Sequence, residues 1–332
     1  MKAIIGNKRI KPVIGVQQVA ASSDKWWHHP EWLDVSNVAD NEINLLVGDF
    51  GVAAVAFTVI VASSGTYYVD WGDGTQTSHS SAAIAQHQYV VGSGKPCSLG
   101  YSTYKVRIWA SNTITLFQVQ PPTNYIPYSS TAVLPILEAY FGTTGLVNLN
   151  SAFMKCASIV AIILPDNLPN CTNYAYLCNT NANLRYIKLP SNANSAAVAT
   201  GIFYSAFIID KITLYNLIIG NGAFYSCYNL KELNLVNCTL ASNISSAFQC
   251  LNQLKQITLP NGQNVTNASG MFQGSVVQQI NNLENLGSRT TDVDFTNFSG
   301  GNPAPQNKTY NIYARISKID IKGVDANNLN GA

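Results

Sequence analysis

Two aspartates three residues apart, Asp70 and Asp73 in YYVDWGDGTQT (67–77), are the side chains that first suggest chemistry. Paired carboxylates hydrolyse glycosides when they face each other across a cleft, about 5–10 Å apart. Here both sit on one tight turn, where Gly72 and Gly74 supply the backbone bend. The expected role is to accept hydrogen bonds from nearby backbone N–H groups. Calcium is the lesser candidate at Asp70 and Asp73, since hard oxygen ligands are present but not the roughly six to eight that the ion takes. The seven cysteines form no CxxC pair, and of the four histidines His28 and His29 are adjacent while His79 and His87 lie far off. That is no zinc set. No G-x-S-x-G, H-E-x-x-H, G-x-x-x-x-G-K or G-x-G-x-x-G occurs. The chain is expected to be non-enzymatic and to carry no cofactor.

The elements that position these residues are β. From residue 42, apolar runs rich in Val, Ile, Tyr and Thr (INLLVGDF, VAAVAFTVIVAS, YYVDWG, HQYVV, YKVRIWAS) alternate with Gly and Ser. They predict a β-sandwich over 41–120, with Trp71 and Trp109 as core aromatics. From about residue 150 a different pattern takes over. Phe153, Phe224 and Phe248 stand six residues before Ile159, Leu230 and Leu254, and apolar residues follow at plus nine and plus eleven. Phe203 starts a similar copy, the copy ending Leu184, Ile187, Leu189 has a longer approach, and the copy after Phe272 runs one residue short. A period of 21–25 residues with this spacing predicts a solenoid over 121–288. Each L-x-L end is a short strand, and the segment carrying the Phe packs over it as a helical turn or irregular coil. Several cysteines recur at one place of the repeat and read as small buried side chains. Asn-rich connectors form the exposed turns.

These residues carry resemblances. Phe, a small or Cys position, Leu, then I-x-L, an Asn-rich turn and a new Met-Phe (VTNASGMFQGS, 265–275) resemble the BspA-type leucine-rich repeat of microbial surface proteins and phage fibres, in six copies over about 150–285. VDWGDGT, then H-x-Y at His87 and Tyr89, then Y-x-V-x-I resemble the polycystic-kidney-disease (PKD) type sandwich. That resemblance implies that Asp70, Trp71, Gly72, Asp73 and Gly74 end one strand in a tight turn, and that His87 and Tyr89 open a later strand packed beside it.

The remaining segments complete the architecture. KWWHHPEWLDV (25–35) places Trp26, Trp27 and Trp32 in an N-terminal arm, 1–40, where they are either docking anchors or fold back onto the sandwich. Beyond 288 the repeat stops, and TTDVDFTNFSGG and TYNIYARISKIDIKG predict strands, with Tyr310, Ile312, Ala314 and Ile316 alternating, that cap the solenoid over 289–332. The order of W-x-x-L segment, sandwich and repeats resembles tail-fibre-like proteins of bacteriophages. Only 11% of residues are charged, the net charge is +2 and no basic run occurs, which argues against nucleic acid. No window reaches the ~18–20 apolar residues of a membrane span, and the first residues do not read as a secretory signal.

The resemblance implies a mainly β virion protein, made in the host cytoplasm and exposed on the particle. It would dock to other virion proteins through its arm and contact a host surface protein or glycan. It would act as a homo-oligomer, for which such fibres suggest a trimer. The alternative is a bacterial cell-surface adhesin with the same domains and a leader absent from this chain.

Overall fold

The computed structural model describes residues 25–50, 56–120, 135–283 and 286–287, with the backbone of strands at 4–5, 8–9, 292–296 and 315–320. Strands β1 (Ile4–Ile5) and β2 (Lys8–Arg9) pair antiparallel; the rest of the first 24 residues lies outside the described residues.

Two sheets share a core in the first half of the chain. The larger contains β3 (Glu42–Gly48), β5 (Tyr67–Asp70), β6 (Gln76–His79), β8 (Lys95–Pro96), β9 (Ser102–Ala110) and β11 (Ile136–Phe141). The smaller contains β4 (Ala56–Ser63), β7 (Ile84–Gln88) and β10 (Ile114–Gln120). In β5 and β9 the two-residue period decides which side chains enter: Tyr67, Val69, Tyr104, Val106 and Ile108 are fully buried. Trp71 is buried as expected. Trp109 is not a core residue. The same period that turns Ile108 inward turns Trp109 outward, where it is half-buried, stacked on Tyr68 at 5.6 Å and flanked by the Arg107 guanidinium.

Strands β3 and β11 are buried at every position, so both of their faces must be covered. Ile43, Leu45 and Val47 face the shared core, while Leu46, Leu137 and Tyr140 form a second cluster with Trp32 and Val35 of the N-terminal segment. A bulge between Ile136 and Glu138 interrupts the alternation of β11. Leu137, Glu138 and Tyr140 thereby all meet that segment.

The repeats grow out of these sheets. One edge of β11 pairs antiparallel with β3 and the other pairs in parallel with Ala161–Ile163, which pairs with Tyr186–Lys188. The smaller sheet continues as well: Leu116 of β10 bridges Asn148, Asn148 bridges Asn173, and Asn173 bridges Val198. The line runs on through Ile218–Ile219 to Thr239–Leu240. One hydrophobic cluster therefore extends from Ile43 to Leu286.

Hydrogen bonds between rungs fix the register of the six copies. The N–H of Phe153, Cys178, Phe203, Phe224 and Phe248 donates to the carbonyl just before its counterpart in the next copy: Leu177, Ile202, Ala223, Ala247 and Met271. Cys178 thus takes the place of a phenylalanine, and in that copy alone a fully buried tyrosine, Tyr174, stands four residues earlier. Phe203, Phe224, Phe248 and Phe272 stack at 5.9, 5.6 and 5.3 Å. Residues two before and two after the ladder position are left-handed in every copy, with φ from 54° to 69°. Most are not glycine, and each costs of order 1–3 kcal/mol. Their N–H groups donate to the next rung alongside that of the ladder residue, as Ser151 and Lys155 do to Ala175 and Asn179.

This register corrects the reading of the cysteines. Cys156 and Cys227 share one place, but Cys250 is the left-handed residue one position earlier, and Leu251 stands where the cysteine was expected. The segments over the strands are runs of tight turns; among the described residues there is no α-helix, and none long and apolar enough to cross a membrane. Asp292–Thr296 and Arg315–Asp320 pair in parallel. Ile316 lies in the second, while Tyr310, Ile312, Ala314 and the rest of the expected cap lie outside the described residues.

In the second copy the place of Cys156 and Cys227 is held by Asn181. It has no exposure, and neither its carboxamide oxygen nor its nitrogen has a partner. Burying such a group costs about 1–3 kcal/mol. Asn181→Leu, which installs the residue found at this place in the fifth copy, is expected to raise the thermal midpoint by about 2–4 °C. Calorimetry of the two proteins checks this; a lower midpoint would refute it.

Candidate interaction surfaces

The WGDGT turn leaves strand β5 with its aspartates occupied. Asp70 Oδ1 accepts from the Gly72 N–H at 3.0 Å, and Asp73 Oδ1 accepts from the N–H and hydroxyl of Thr75 at 3.1 and 2.6 Å. Asp73 Oδ2 lies 2.6 Å from His87 Nε2. Burial pushes the Asp73 carboxyl up, but the bonds from Thr75 and His87 outweigh it and hold its pKa below the usual carboxylate value. The His87 ring stacks on Trp71 at 4.9 Å, and the Tyr89 hydroxyl donates to the Trp71 carbonyl at 2.8 Å. His87 is the penultimate residue of β7 and Tyr89 lies just past its end, so the pair ends a strand rather than opening one; β7 pairs with β4 in the smaller sheet. Its contact with the turn is made across the two layers by side chains. Among the described residues no three His, Cys, Asp or Glu side chains converge to hold a metal ion.

A depressed pKa stabilises the fold above the unfolded-state value, and that stability is lost as pH falls through the folded value. Asp73→Asn is therefore expected to cost about 1–2 kcal/mol at pH 7. The difference from the parent should shrink below about pH 4. Urea unfolding across a pH series reads this directly, and a gap constant down to acid would contradict it.

The three tryptophans part company. Trp27 stacks on Tyr186 at 3.9 Å with the rings nearly parallel, and Trp32 is 8% exposed with its Nε1 donating to the Tyr101 hydroxyl. Trp26 is 63% exposed. The segment is also pinned by His28 Nδ1 at 2.9 Å from Glu138 Oε1 and by Lys25 Nζ at 3.0 Å from Asp34. Three buried acids escaped the sequence reading, among them Glu42, which takes a two-pronged bond from Arg107 at 3.0 Å. Glu138 is the second; the third is Asp49, fully buried, which accepts from the Ser102 and Gly92 N–H groups and the Tyr104 hydroxyl. Glu138 and Asp49 are each a lone acid inside an apolar strand run. That is the available signal, because a buried charge must be paired.

Burial disfavours the thiolate at six of the seven cysteines. Burial pushes Cys227 up to about 12 and Cys238 up to about 11, and it raises Cys156, Cys171, Cys178 and Cys250 as well. The thiolate is the reactive form. Native protein treated with iodoacetamide is expected to label first at half-buried Cys97, with the fully buried thiols reacting only after unfolding. Peptide mapping checks the order, and early labelling of Cys156 or Cys178 would refute it.

The solenoid divides its charge between its sides. Of nine charged side chains between 148 and 276, eight lie in or immediately beside the strands, and Lys155 alone lies on the turn segments. Strand-side charges pair across rungs, as Lys211 with Glu232 at 2.9 Å and Lys188 with Asp166 at 3.0 Å. In place of charge, the turn side presents aromatics on successive rungs. Tyr204 stacks on Tyr225 at 4.4 Å and Phe207 on Tyr228 at 5.4 Å, while Tyr176 and Tyr228 are each 40% exposed. Asparagines shape the same side: Asn148, Asn173, Asn243 and Asn267 each accept from the backbone N–H two residues on, at 2.8–3.0 Å. This turn chemistry is why Asn crowds the connectors.

Residues 148–278 match the BspA type Leucine rich repeat region in six copies. No curated protein and no solved structure matches the chain. Taken with the parallel rungs, the phenylalanine ladder and the shared register, residues 148–278 are a BspA-type leucine-rich-repeat region wound as a β-solenoid.

Proposed function

We propose that this protein is a non-enzymatic adhesion protein of a bacteriophage particle, a fibre or fibre-like appendage that docks through its N-terminal residues and carries the repeats outward. The observation that carries adhesion is the BspA-type repeat region, a kind of repeat typical of surface proteins and adhesins, whose turn side carries aromatics and a single charge, Lys155. What favours a virion is the order of parts: a tryptophan-rich segment, a two-sheet unit carrying WGDGT and HQY in the manner of a PKD-type sandwich, then the repeats. In the docking role, exposed Trp26 and the residues before it are the contact to other virion proteins, since Trp27 and Trp32 are spent within the chain. Several copies per particle, as in a trimeric fibre, convert modest single-site affinity into firm attachment. The receptor is a host surface protein or glycan.

Electron microscopy of purified particles with a gold label on residue 332 tests the assignment. Regularly placed labels are expected, and absence of the chain from particles would overturn it. A second reading, a bacterial cell-surface adhesin, rests on the same repeats, and label on the bacterial envelope rather than on particles would select it.

A further inference from the structure

The aromatic row on the turn side is not required by the core. Each copy already buries its ladder residue, yet Tyr204, Phe207, Tyr225 and Tyr228 add a second, outer set of rings one and four places further on. Large aromatics left partly in water have a reason when something covers them. Three properties of the row bear on what that is.

First, the charge is wrong for an ionic partner. Lys155, two copies away, is the only charged side chain on the six turn segments, so a sialylated, sulfated or otherwise anionic ligand would find no counter-ion there. Second, the hydrogen-bonding groups are phenols, carboxamides and hydroxyls: Tyr176, Tyr204, Tyr225 and Tyr228 among the Asn, Gln, Ser and Thr of the turns. Each can both donate and accept or offers donor and acceptor side by side, which matches sugar hydroxyls, while the edges of the stacked rings supply apolar surface for sugar C–H groups. Third, the two ring pairs span one rung step, from the third copy to the fourth, at 4.4 and 5.4 Å. That step is close to the length of one sugar residue in an extended chain, so two neighbouring sugars would meet these two rungs.

We infer that the turn side around Tyr176, Tyr204, Phe207, Tyr225 and Tyr228 binds an uncharged oligosaccharide laid along the solenoid axis. This rests on the adhesion reading and gives its partner a chemical class.

A printed array of neutral and anionic glycans, probed with the full chain and with Tyr225→Ala, Tyr225→Phe and the strand-side variant Lys231→Ala, tests it. Neutral glycans are expected to bind, with a loss of about tenfold or more in Tyr225→Ala, an intermediate loss in Tyr225→Phe, which keeps the ring, and none in Lys231→Ala. Binding of anionic glycans only, no glycan binding, or binding indifferent to Tyr225 would overturn the inference. A concentration-dependent dimer in sedimentation that Tyr225→Ala dissolves would assign the face to a second copy and overturn it too. Attachment of fluorescent protein to host cells, measured in parallel, separates the two readings: attachment indifferent to Tyr225 leaves adhesion standing without this site, and glycan binding without attachment does the reverse.

Discussion

Phe224→Ala is expected to destabilise the protein by about 3–5 kcal/mol and to lower the thermal midpoint by roughly 10 °C. The ring has no exposure and is stacked on both sides, by Phe203 at 5.9 Å and Phe248 at 5.6 Å. Truncation therefore leaves a void within the rung and removes two aromatic contacts, each worth about 0.5–1.5 kcal/mol beyond area. In a solenoid each copy holds only its neighbours, so the void also weakens coupling between the copies on either side. Phe224→Leu keeps most of the buried area and should cost far less. Chemical unfolding of the two variants separates the effects: a loss below about 1 kcal/mol for Phe224→Ala would show that the rungs close over the gap.

Gly72→Ala is expected to cost about 3–4 kcal/mol, or to prevent folding of the first unit, through two additive causes. Gly72 has φ +78°, and a Cβ there would meet the Lys105 carbonyl oxygen at 2.4 Å and its carbon at 2.9 Å. Those atoms are backbone of β9, a strand paired with β3 on one side and β5 on the other, and cannot step aside. Gly74 in the same turn is the control. Its φ is +90°, but a Cβ would meet nothing within 4 Å, so Gly74→Ala should cost only the left-handed strain, about 1–2 kcal/mol. Equal losses from the two substitutions, measured by urea unfolding, would refute the steric account.

How much could be read from the sequence differs element by element. The ladder phenylalanines were legible because a repeat states the same packing requirement several times, and five of the six ladder places hold Phe. Cys178 was not, since a substitution inside a repeat is visible only once hydrogen bonds fix the register. Cys250 misled for the same reason, standing one residue away from the place its neighbours suggested. In the WGDGT turn the backbone N–H partners of Asp70 and Asp73 lie two residues away, near enough for turn chemistry to predict them, whereas the bond of Asp73 to His87 crosses between sheets. The fate of the tryptophans depends on β11 and the repeats, more than 100 residues downstream. His28 meets Glu138 across 110 positions and Trp27 meets Tyr186 farther still.

By itself the sequence determined the rung: its period, its buried phenylalanines, its asparagine turns and the glycine bend at residues 72–74. These follow from interactions within a few residues or from a pattern repeated along the chain, and such information is local. Only the tertiary structure decided that the first unit and the repeats share both sheets through β11 and β10, that Trp109 faces out, and that residues 25–38 cover the outer face of β3 and β11. It also decided that all but one of the charges of the repeats fall on the strand side of the solenoid, while Tyr204, Phe207, Tyr225 and Tyr228 stack on the turn side. Each of these rests on which strands lie side by side, and that pairing brings together residues whose separation in sequence carries no period to read.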